Sequence, residues 1–172
     1  MVLCPAAGSD EEATLPNQQL PQRKKIRLDH DLYADTTTIC SVTLCTDKRR
    51  DLFADTALAD ACLVLLRSQA EARSVAAHAY CFMSDHLHLV IAPSPEASVP
   101  DFLRDFKGLS TRIAWERGYE GKLWQPRFFD HFLRKDEDLR RAVDYIVNNP
   151  VRKGMVVEWR EYSYCGSLVY DL

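Results

Sequence analysis

Residues 75–92 contain two runs of strand-forming residues that are separated by only two turn residues, Ser84-Asp85. This spacing predicts a β-hairpin with strands over 75–83 and 86–92. An isolated hairpin is marginally stable in water, so the flanking segments must supply further strands or helices that cover it. The hairpin therefore commits this part of the chain to an antiparallel sheet.

Two histidines follow directly after the turn. With a period of two, His86 and His88 project from one face of the second strand, and the other face carries the apolar residues Leu87, Leu89 and Ile91. We expect the two Cα atoms roughly 6.5–7 Å apart, close enough for both imidazoles to bind one metal ion. The alternative is that the rings only form hydrogen bonds at the end of a strand. The spacing alone leaves both interpretations open.

Periodicities elsewhere predict the order strand, helix, strand, strand, helix, strand, helix. The additional elements are a strand over 36–45, a helix capped by Asp55 that runs to about Ala72, a helix capped by Ser98 that ends at Gly118 and Gly121, a strand from about Arg127, and a helix from Asp136 to near Asn149. The order predicts an α+β fold: a ferredoxin-like antiparallel sheet with helices on one face and an appended C-terminal helix.

Composition predicts one folded domain. Residues 1–22 have no hydrophobic period and contain three prolines, so we expect a flexible N-terminal tail, followed by a single domain over 23–172. No apolar run approaches the roughly 18 residues of a membrane helix, and the first residues do not form a secretion signal, so we expect a cytoplasmic protein. The six cysteines are scattered without a Cys-x-x-Cys motif and are interpreted as reduced core residues.

The net charge of −3 argues against a strongly basic nucleic-acid binder. Charge is nevertheless uneven along the chain. Residues 101–153 hold twelve basic and nine acidic side chains, a local balance of +3. That balance permits contact with a phosphate backbone without requiring it.

The last predicted helix places two further polar groups on one edge. At 100° per residue, Tyr145 and Asn149 lie about 40° from each other, beside a buried stripe formed by Leu139, Ala142, Val143 and Ile146. If the helix packs by the sheet edge, both groups can face the histidine pair. On spacing alone, the favoured alternative is a packing aromatic followed by an ordinary helix-terminal asparagine.

The order and spacing of several motifs between residues 25 and 167 resemble those of the HUH single-tyrosine transposases, and within them the REP-associated (IS200-like) tyrosine transposases. The motifs that carry this resemblance are Met-Ser-Asp-His-Leu-His at 83–88, Leu-Trp-Gln-Pro-Arg-Phe at 123–128 and Asp-Tyr-Ile-Val-Asn-Asn-Pro-Val at 144–151. Ser84-Asp85 differs from the usual turn of the subgroup, which contains Pro and has Asn or Glu before the first histidine. Both histidines are kept.

The resemblance implies that His86 and His88 hold a divalent metal, Mg²⁺ or Mn²⁺, that Tyr145 is the nucleophile, and that Asn149 is the third ligand. It implies cleavage and joining of single-stranded DNA beside hairpin (REP-like) elements through a 5′-phosphotyrosine. A phenol suits this chemistry because the phosphotyrosine bond keeps the energy needed to rejoin the strand. The C-terminal helix is thereby expected to carry the catalytic tyrosine.

Basic and aromatic side chains are the expected means of holding single strands. The candidate DNA-binding residues are Lys25, Arg27, Lys107, Arg112, Trp124, Arg127, His131 and Arg141. Trp124 could equally anchor the core, and His131 could approach the ion, bind phosphate or form a hydrogen bond in the sheet. The alternative function is a host-adopted module that binds DNA or RNA hairpins without cleavage. The protein is expected to be a monomer or a homodimer.

Overall fold

The computed structural model of the protein describes residues 30–133 and 139–172. Within them the α-helices and β-strands follow in the order β1 (Cys40–Cys45), α1 (Thr56–Ala72), β2 (Ala76–Met83), β3 (His86–Ala92), α2 (Val99–Glu116), β4 (Phe129–Phe132), α3 (Leu139–Val147), α4 (Asn149–Arg152) and β5 (Cys165–Gly166). The predicted order of strands and helices is found, with α4 and β5 added after the last predicted helix. The predicted tail and the candidates Lys25 and Arg27 lie outside the described residues.

The strands form one antiparallel sheet in the order β4-β1-β3-β2-β5. The predicted hairpin is β2–β3, in which Met83 pairs with His86 across the Ser84-Asp85 turn. β3 is therefore the central strand of the sheet, with β1 on one side and β2 on the other. This arrangement confirms the predicted α+β fold with an antiparallel sheet.

Capping side chains begin both long helices at the predicted residues. The Asp55 carboxylate accepts a hydrogen bond from the backbone N–H of Ala57 at the start of α1. The Ser98 hydroxyl accepts one from the backbone N–H of Asp101 at the start of α2. In each case the side chain satisfies an N–H group that has no partner within the helix. These local interactions fix where the two helices start.

The sheet is covered on both faces. α1 and α2 bury one face, and the main core lies there, with Leu87, Leu89 and Ile91 fully buried among helix residues such as Phe102. α3 covers the opposite face and packs against β2 and β3. The last helix thus packs on a face of the sheet, where its apolar stripe is buried, and not beside the sheet edge, the arrangement considered above.

Strand β1 begins at Cys40, four residues later than predicted. Local hydrogen bonds turn the chain before the strand starts. The Thr38 hydroxyl donates to the carbonyls of Leu32 and Asp35, at 2.8 and 2.7 Å, and the Asp35 carboxylate accepts from the Thr37 N–H at 2.9 Å. The β-branched threonines therefore serve a turn and not the strand. β4 likewise starts later than predicted, at Phe129.

Helix α3 ends at Val147, two residues before the predicted end. The chain then starts the separate helix α4, which has Pro150 in its first turn. Proline fits there because its missing N–H would have no partner in the first turn of a helix. The predicted helix start at Asp136 lies outside the described residues.

Two expectations from composition concern the described residues directly. All five cysteines in the described part of the chain are buried free thiols, as predicted. None of the helices within residues 30–133 and 139–172 combines the length and the apolar character that crossing a membrane requires.

Candidate active site

The histidine pair lies on the face of the sheet that α3 covers. His86 and His88 share that face with Val90, which packs against α3. Their Nε2 atoms lie 3.0 Å apart, and the two rings are nearly perpendicular, with centroids 4.6 Å apart. The two imidazoles therefore converge on one point beside the hairpin turn, as the alternation of the strand predicted.

The other nitrogen of each ring is held by a neighbour. His86 Nδ1 contacts the carboxylate of Asp85, and His88 Nδ1 lies 2.8 Å from the Thr43 hydroxyl on β1. The second oxygen of Asp85 accepts a hydrogen bond from Arg49 at 3.0 Å. A partner on Nδ1 fixes the ring orientation, and a partner that accepts the Nδ1 proton, as the Asp85 carboxylate does, leaves the Nε2 lone pair free for a metal ion.

Asp85 therefore has a larger role than the sequence suggested. The turn Ser84-Asp85 differs from the usual turn of the subgroup and keeps both histidines, but the structure places the Asp85 carboxylate in direct contact with His86. Burial opposes ionisation of Asp85, but hydrogen bonds and charges of His86 and Arg49 together hold its pKa below the usual value. The carboxylate is therefore ionised when it contacts the ring.

Burial and nearby charges keep His88 neutral. Burial, together with the charges of His86, Arg152 and Arg49, lowers the pKa of His88 to about 4, and the charge of Asp85 opposes this shift. A neutral imidazole retains the lone pair that a metal ion needs. The effect of Arg152 also shows that the α4 segment lies within electrostatic range of the histidine pair.

Tyr145 extends from α3 into solvent. The apolar side of this helix packs on the sheet through Val143, Ile146 and Val147, whereas Tyr145 is 59% exposed. Among the described residues, no side chain or backbone group forms a hydrogen bond with its hydroxyl. The guanidinium of Arg152 lies over the ring, 3.7 Å from its centroid. A contact of this kind contributes about 0.5–1 kcal/mol at an exposed site.

Asn149, the predicted third ligand, is buried at the junction of α3 and α4. Its amide donates to the carbonyls of Tyr145 and Ile146, at 3.2 and 3.0 Å. Its Oδ1 accepts a hydrogen bond from Arg152 at 3.1 Å. Asn149 therefore caps the carbonyl end of α3 in this conformation. Within the described residues, no hydrogen bond connects Tyr145 or Asn149 to either histidine.

Two of the candidate DNA-binding residues have structural partners. Trp124 is 4% exposed, packs against Phe53 and Phe106, and donates from its indole to Ser110 at 2.8 Å. This is the core-anchor role considered for it, so its predicted stacking on bases is not available in this structure. The Lys107 ammonium donates to the carbonyls of Gln125 and Pro126, and burial lowers its pKa.

The remaining candidates in the described residues are Arg112, Arg127, His131 and Arg141, and all of them are exposed. His131 pairs with Ser41 across β4 and β1, which places it on the face of the sheet that carries His86 and His88. Phe129 shares this face, opposite Thr43, and is 58% exposed. Phe129 was not singled out from the sequence, and the structure places its ring on the same sheet face as the histidine pair.

Three other residues of the site were missed in the sequence. Thr43 contacts His88 only because β1 pairs with β3, and the register of non-local strands is not visible in a single sequence. Arg152 reaches Tyr145 only because the chain turns after Val147. Asp85 is the exception, since it is adjacent to His86 and a carboxylate next to a histidine is a recognisable signal.

The geometry of the pair fits a divalent ion. Two nitrogen ligands about 2.1 Å from one ion, at a right angle, are separated by ~3.0 Å, the distance observed between the two Nε2 atoms. In the absence of a bound proton or cation, two lone pairs at this distance would repel each other. No cluster of three or more His, Cys, Asp or Glu side chains suited to a metal ion occurs in the described part of the chain.

Fold and site together define an α+β protein with a paired-histidine site on one sheet face and an exposed tyrosine on the helix that covers that face. A sequence model of the family described as "Transposase IS200 like" matches residues 36–149. This stretch includes both histidines, Tyr145 and Asn149. The chain belongs to the IS200-like transposase family, which confirms the resemblance found in the sequence motifs.

Individual relatives are similar over part of the chain. A REP-associated tyrosine transposase of Escherichia coli (strain K12) is 30% identical over 87 residues, which cover 51% of this chain and 51% of that protein. The ISDra2 transposase TnpA of Deinococcus radiodurans is 36% identical over 53 residues, or 27% of this chain and 38% of that protein. The matched part thus spans about half or less of the length of these relatives.

One solved structure supports the fold. The structure of a REP-associated tyrosine transposase bound to a REP hairpin superposes with a TM-score of 0.62 over 77% of this chain and 78% of that chain. The identity is 23%, so the match concerns the fold alone.

Proposed function

We propose that this protein is a metal-dependent single-stranded DNA endonuclease and strand transferase that acts beside DNA hairpins. One observation supports this most strongly: in a member of the IS200-like transposases, the convergent Nε2 atoms of His86 and His88 lie on the sheet face covered by the helix that carries Tyr145. The hairpin partner of the structural relative suggests the substrate class.

His86 and His88 would hold the divalent ion, with Asn149 as the proposed third ligand. An ion bound there would polarise the scissile phosphate and neutralise charge that develops on it. Tyr145 acts as the nucleophile: its phenol gives up its proton to water, its oxygen bonds to phosphorus, the bond to the 3′ oxygen breaks, and that oxygen takes up a proton from water. The products are a 5′-phosphotyrosine and a free 3′-hydroxyl. The stored phosphoester allows the reverse reaction on a second 3′-hydroxyl, which joins strands.

A hairpin-binding module without cleavage is a second candidate, and one observation favours it. Asn149 Oδ1 accepts a hydrogen bond from Arg152, so the described conformation offers a metal ion the two histidine nitrogens and not the third ligand. Cleavage requires that the second lone pair of this oxygen binds the ion while Arg152 keeps the first, which shifts the Asn149 side chain when the ion and DNA bind. Binding of a hairpin alone requires no such change.

The decisive experiment compares the wild type with Tyr145→Phe. Both proteins are incubated with hairpin-bearing single strands and Mn²⁺, and covalent protein–DNA adducts are resolved on denaturing gels. The wild type should form an adduct that mass spectrometry locates on Tyr145, whereas the variant should form none. The hydroxyl has no partner in the described residues, so the variant should keep its hairpin affinity, with stability changed by about 1 kcal/mol or less.

Cleavage by Tyr145→Phe at the wild-type rate would show that the nucleophile is water or another residue. Hairpin binding by both proteins without any adduct would favour the binding module.

A further inference from the structure

Arg152, at the end of α4, contacts Tyr145 and its surroundings in three ways. Its guanidinium lies 3.7 Å from the centroid of the Tyr145 ring. One terminal nitrogen donates to the backbone carbonyl of Tyr145 at 3.1 Å, and the other donates to Asn149 Oδ1 at 3.1 Å. We propose that Arg152 is a positioning residue that fixes the orientation of the Tyr145 ring for attack on DNA. This inference rests on the proposed function.

The need for such a residue follows from the exposure of Tyr145. The side chain is 59% exposed, and no partner holds its hydroxyl among the described residues. An exposed tyrosine on a helix exchanges between staggered rotamers that place its hydroxyl several ångströms apart. In-line attack on phosphorus requires one of these positions, so any contact that selects it accelerates the reaction.

Arg152 is suited to this selection because its own position is fixed. Its two terminal nitrogens donate hydrogen bonds to oxygens near the end of α3 and at the start of α4. These bonds fix the orientation of the guanidinium plane relative to the helix that bears the tyrosine. The Tyr145 ring can then stack on the guanidinium plane. A lysine has no planar group that could both stack on the ring and bond two oxygens in fixed directions.

The same side chain also connects Tyr145 to Asn149. Asn149 donates to the carbonyl of Tyr145, and Arg152 donates both to that carbonyl and to Asn149. The three residues therefore form one hydrogen-bonded unit at the junction of two helices. Phosphate binding alone would not require this arrangement, because a phosphate-binding arginine needs only to reach the DNA.

The test compares Arg152→Ala, Arg152→Lys and Lys153→Ala. Lys153 is the adjacent exposed cation, so Lys153→Ala removes the same charge without removing the stack. Three quantities are measured: the single-turnover rate of adduct formation, the hairpin affinity, and the order parameter of the Tyr145 ring by ¹³C relaxation in the free protein, with the ring signals assigned by comparison with Tyr145→Phe. Thermal melting establishes that each variant is folded.

Arg152→Ala should slow adduct formation at least about tenfold, with hairpin affinity near that of the wild type, and should lower the order parameter of the ring. Adduct formation by Arg152→Lys should be as slow as by Arg152→Ala, because lysine restores the charge without the planar group. Lys153→Ala should match the wild type in all three measurements.

A Tyr145 ring as well ordered in Arg152→Ala as in the wild type would overturn the inference, as would a loss of rate matched by an equal loss of hairpin affinity. Failure of the proposed function is distinguishable, because then the wild type itself forms no adduct with any hairpin. The ring order parameter still decides in that case whether Arg152 positions Tyr145.

Discussion

At the scale of single residues, the site depends on the partners of the two histidines as much as on the histidines themselves. Each imidazole has one nitrogen directed at the other ring and one held by a neighbour. Asp85 and Thr43 thus fix the orientation of the two rings. Their roles suggest substitutions that alter the site without removing a ligand.

Thr43→Val should weaken Mn²⁺ binding by about 10–100-fold, as expected for the loss of a group that orients a metal ligand. Valine keeps the shape of threonine, so the strand pairing of β1 with β3 should persist and only the 2.8 Å contact with His88 is lost. Calorimetric titration with Mn²⁺ measures the affinity, with His88→Ala as the reference for complete loss of a ligand.

The matched control is Thr111→Val on α2, whose hydroxyl donates to the carbonyl of Lys107 and lies away from the histidines. Unchanged Mn²⁺ affinity in Thr43→Val would argue that this contact does not orient a ligand.

At the scale of elements, α3 connects the chemistry to the fold. Ile146 is 2% exposed and lies in the apolar cluster between α3 and the sheet, one residue after Tyr145. The burial of one side of the helix therefore decides where the tyrosine on its other side is placed. Within the described residues α3 is nine residues long, so its helical state depends on this packing more than on intrinsic propensity.

Ile146→Ala should lower the free energy of unfolding by about 2–4 kcal/mol, because it removes buried methyl groups and leaves a cavity. Urea denaturation followed by circular dichroism measures the change. Val64→Ala is a suitable control, since Val64 is 65% exposed on α1 and should change stability by less than about 0.5 kcal/mol. A loss below 1 kcal/mol in Ile146→Ala would mean that α3 is not firmly packed on the sheet.

These elements also show how much the sequence could predict. The β2–β3 hairpin, the helix caps and the orientation of His86 and His88 follow from local periodicity and turn length, and all were found. The apolar stripe of α3 predicted that one side is buried, but a stripe does not identify the surface it packs against. The contacts of Thr43 and Arg152 depend on strand register and on the turn before Pro150, so they required the structure.

At the scale of the whole molecule, electrostatic attraction for DNA is weak. The chain has 22 basic and 25 acidic side chains, so its net charge does not draw it to nucleic acid. Recognition must then come from a shaped surface. The sheet face with the histidine pair offers one, because Phe129 is exposed on it opposite Thr43, the residue that contacts His88.

An exposed aromatic ring beside the proposed metal ligands favours unpaired bases, which can stack on it, over paired bases that are already stacked on each other. We therefore predict that cleavage requires single-stranded DNA next to a folded hairpin. Three substrates test this: a hairpin with a single-stranded flank, the same hairpin without a flank, and a hairpin whose flank is paired with a complementary strand. Adduct formation with Mn²⁺ should occur with the first substrate alone. Phe129→Ala should weaken binding of the flanked hairpin more than that of the bare hairpin, whereas equal cutting of the paired flank would contradict the role proposed for this face.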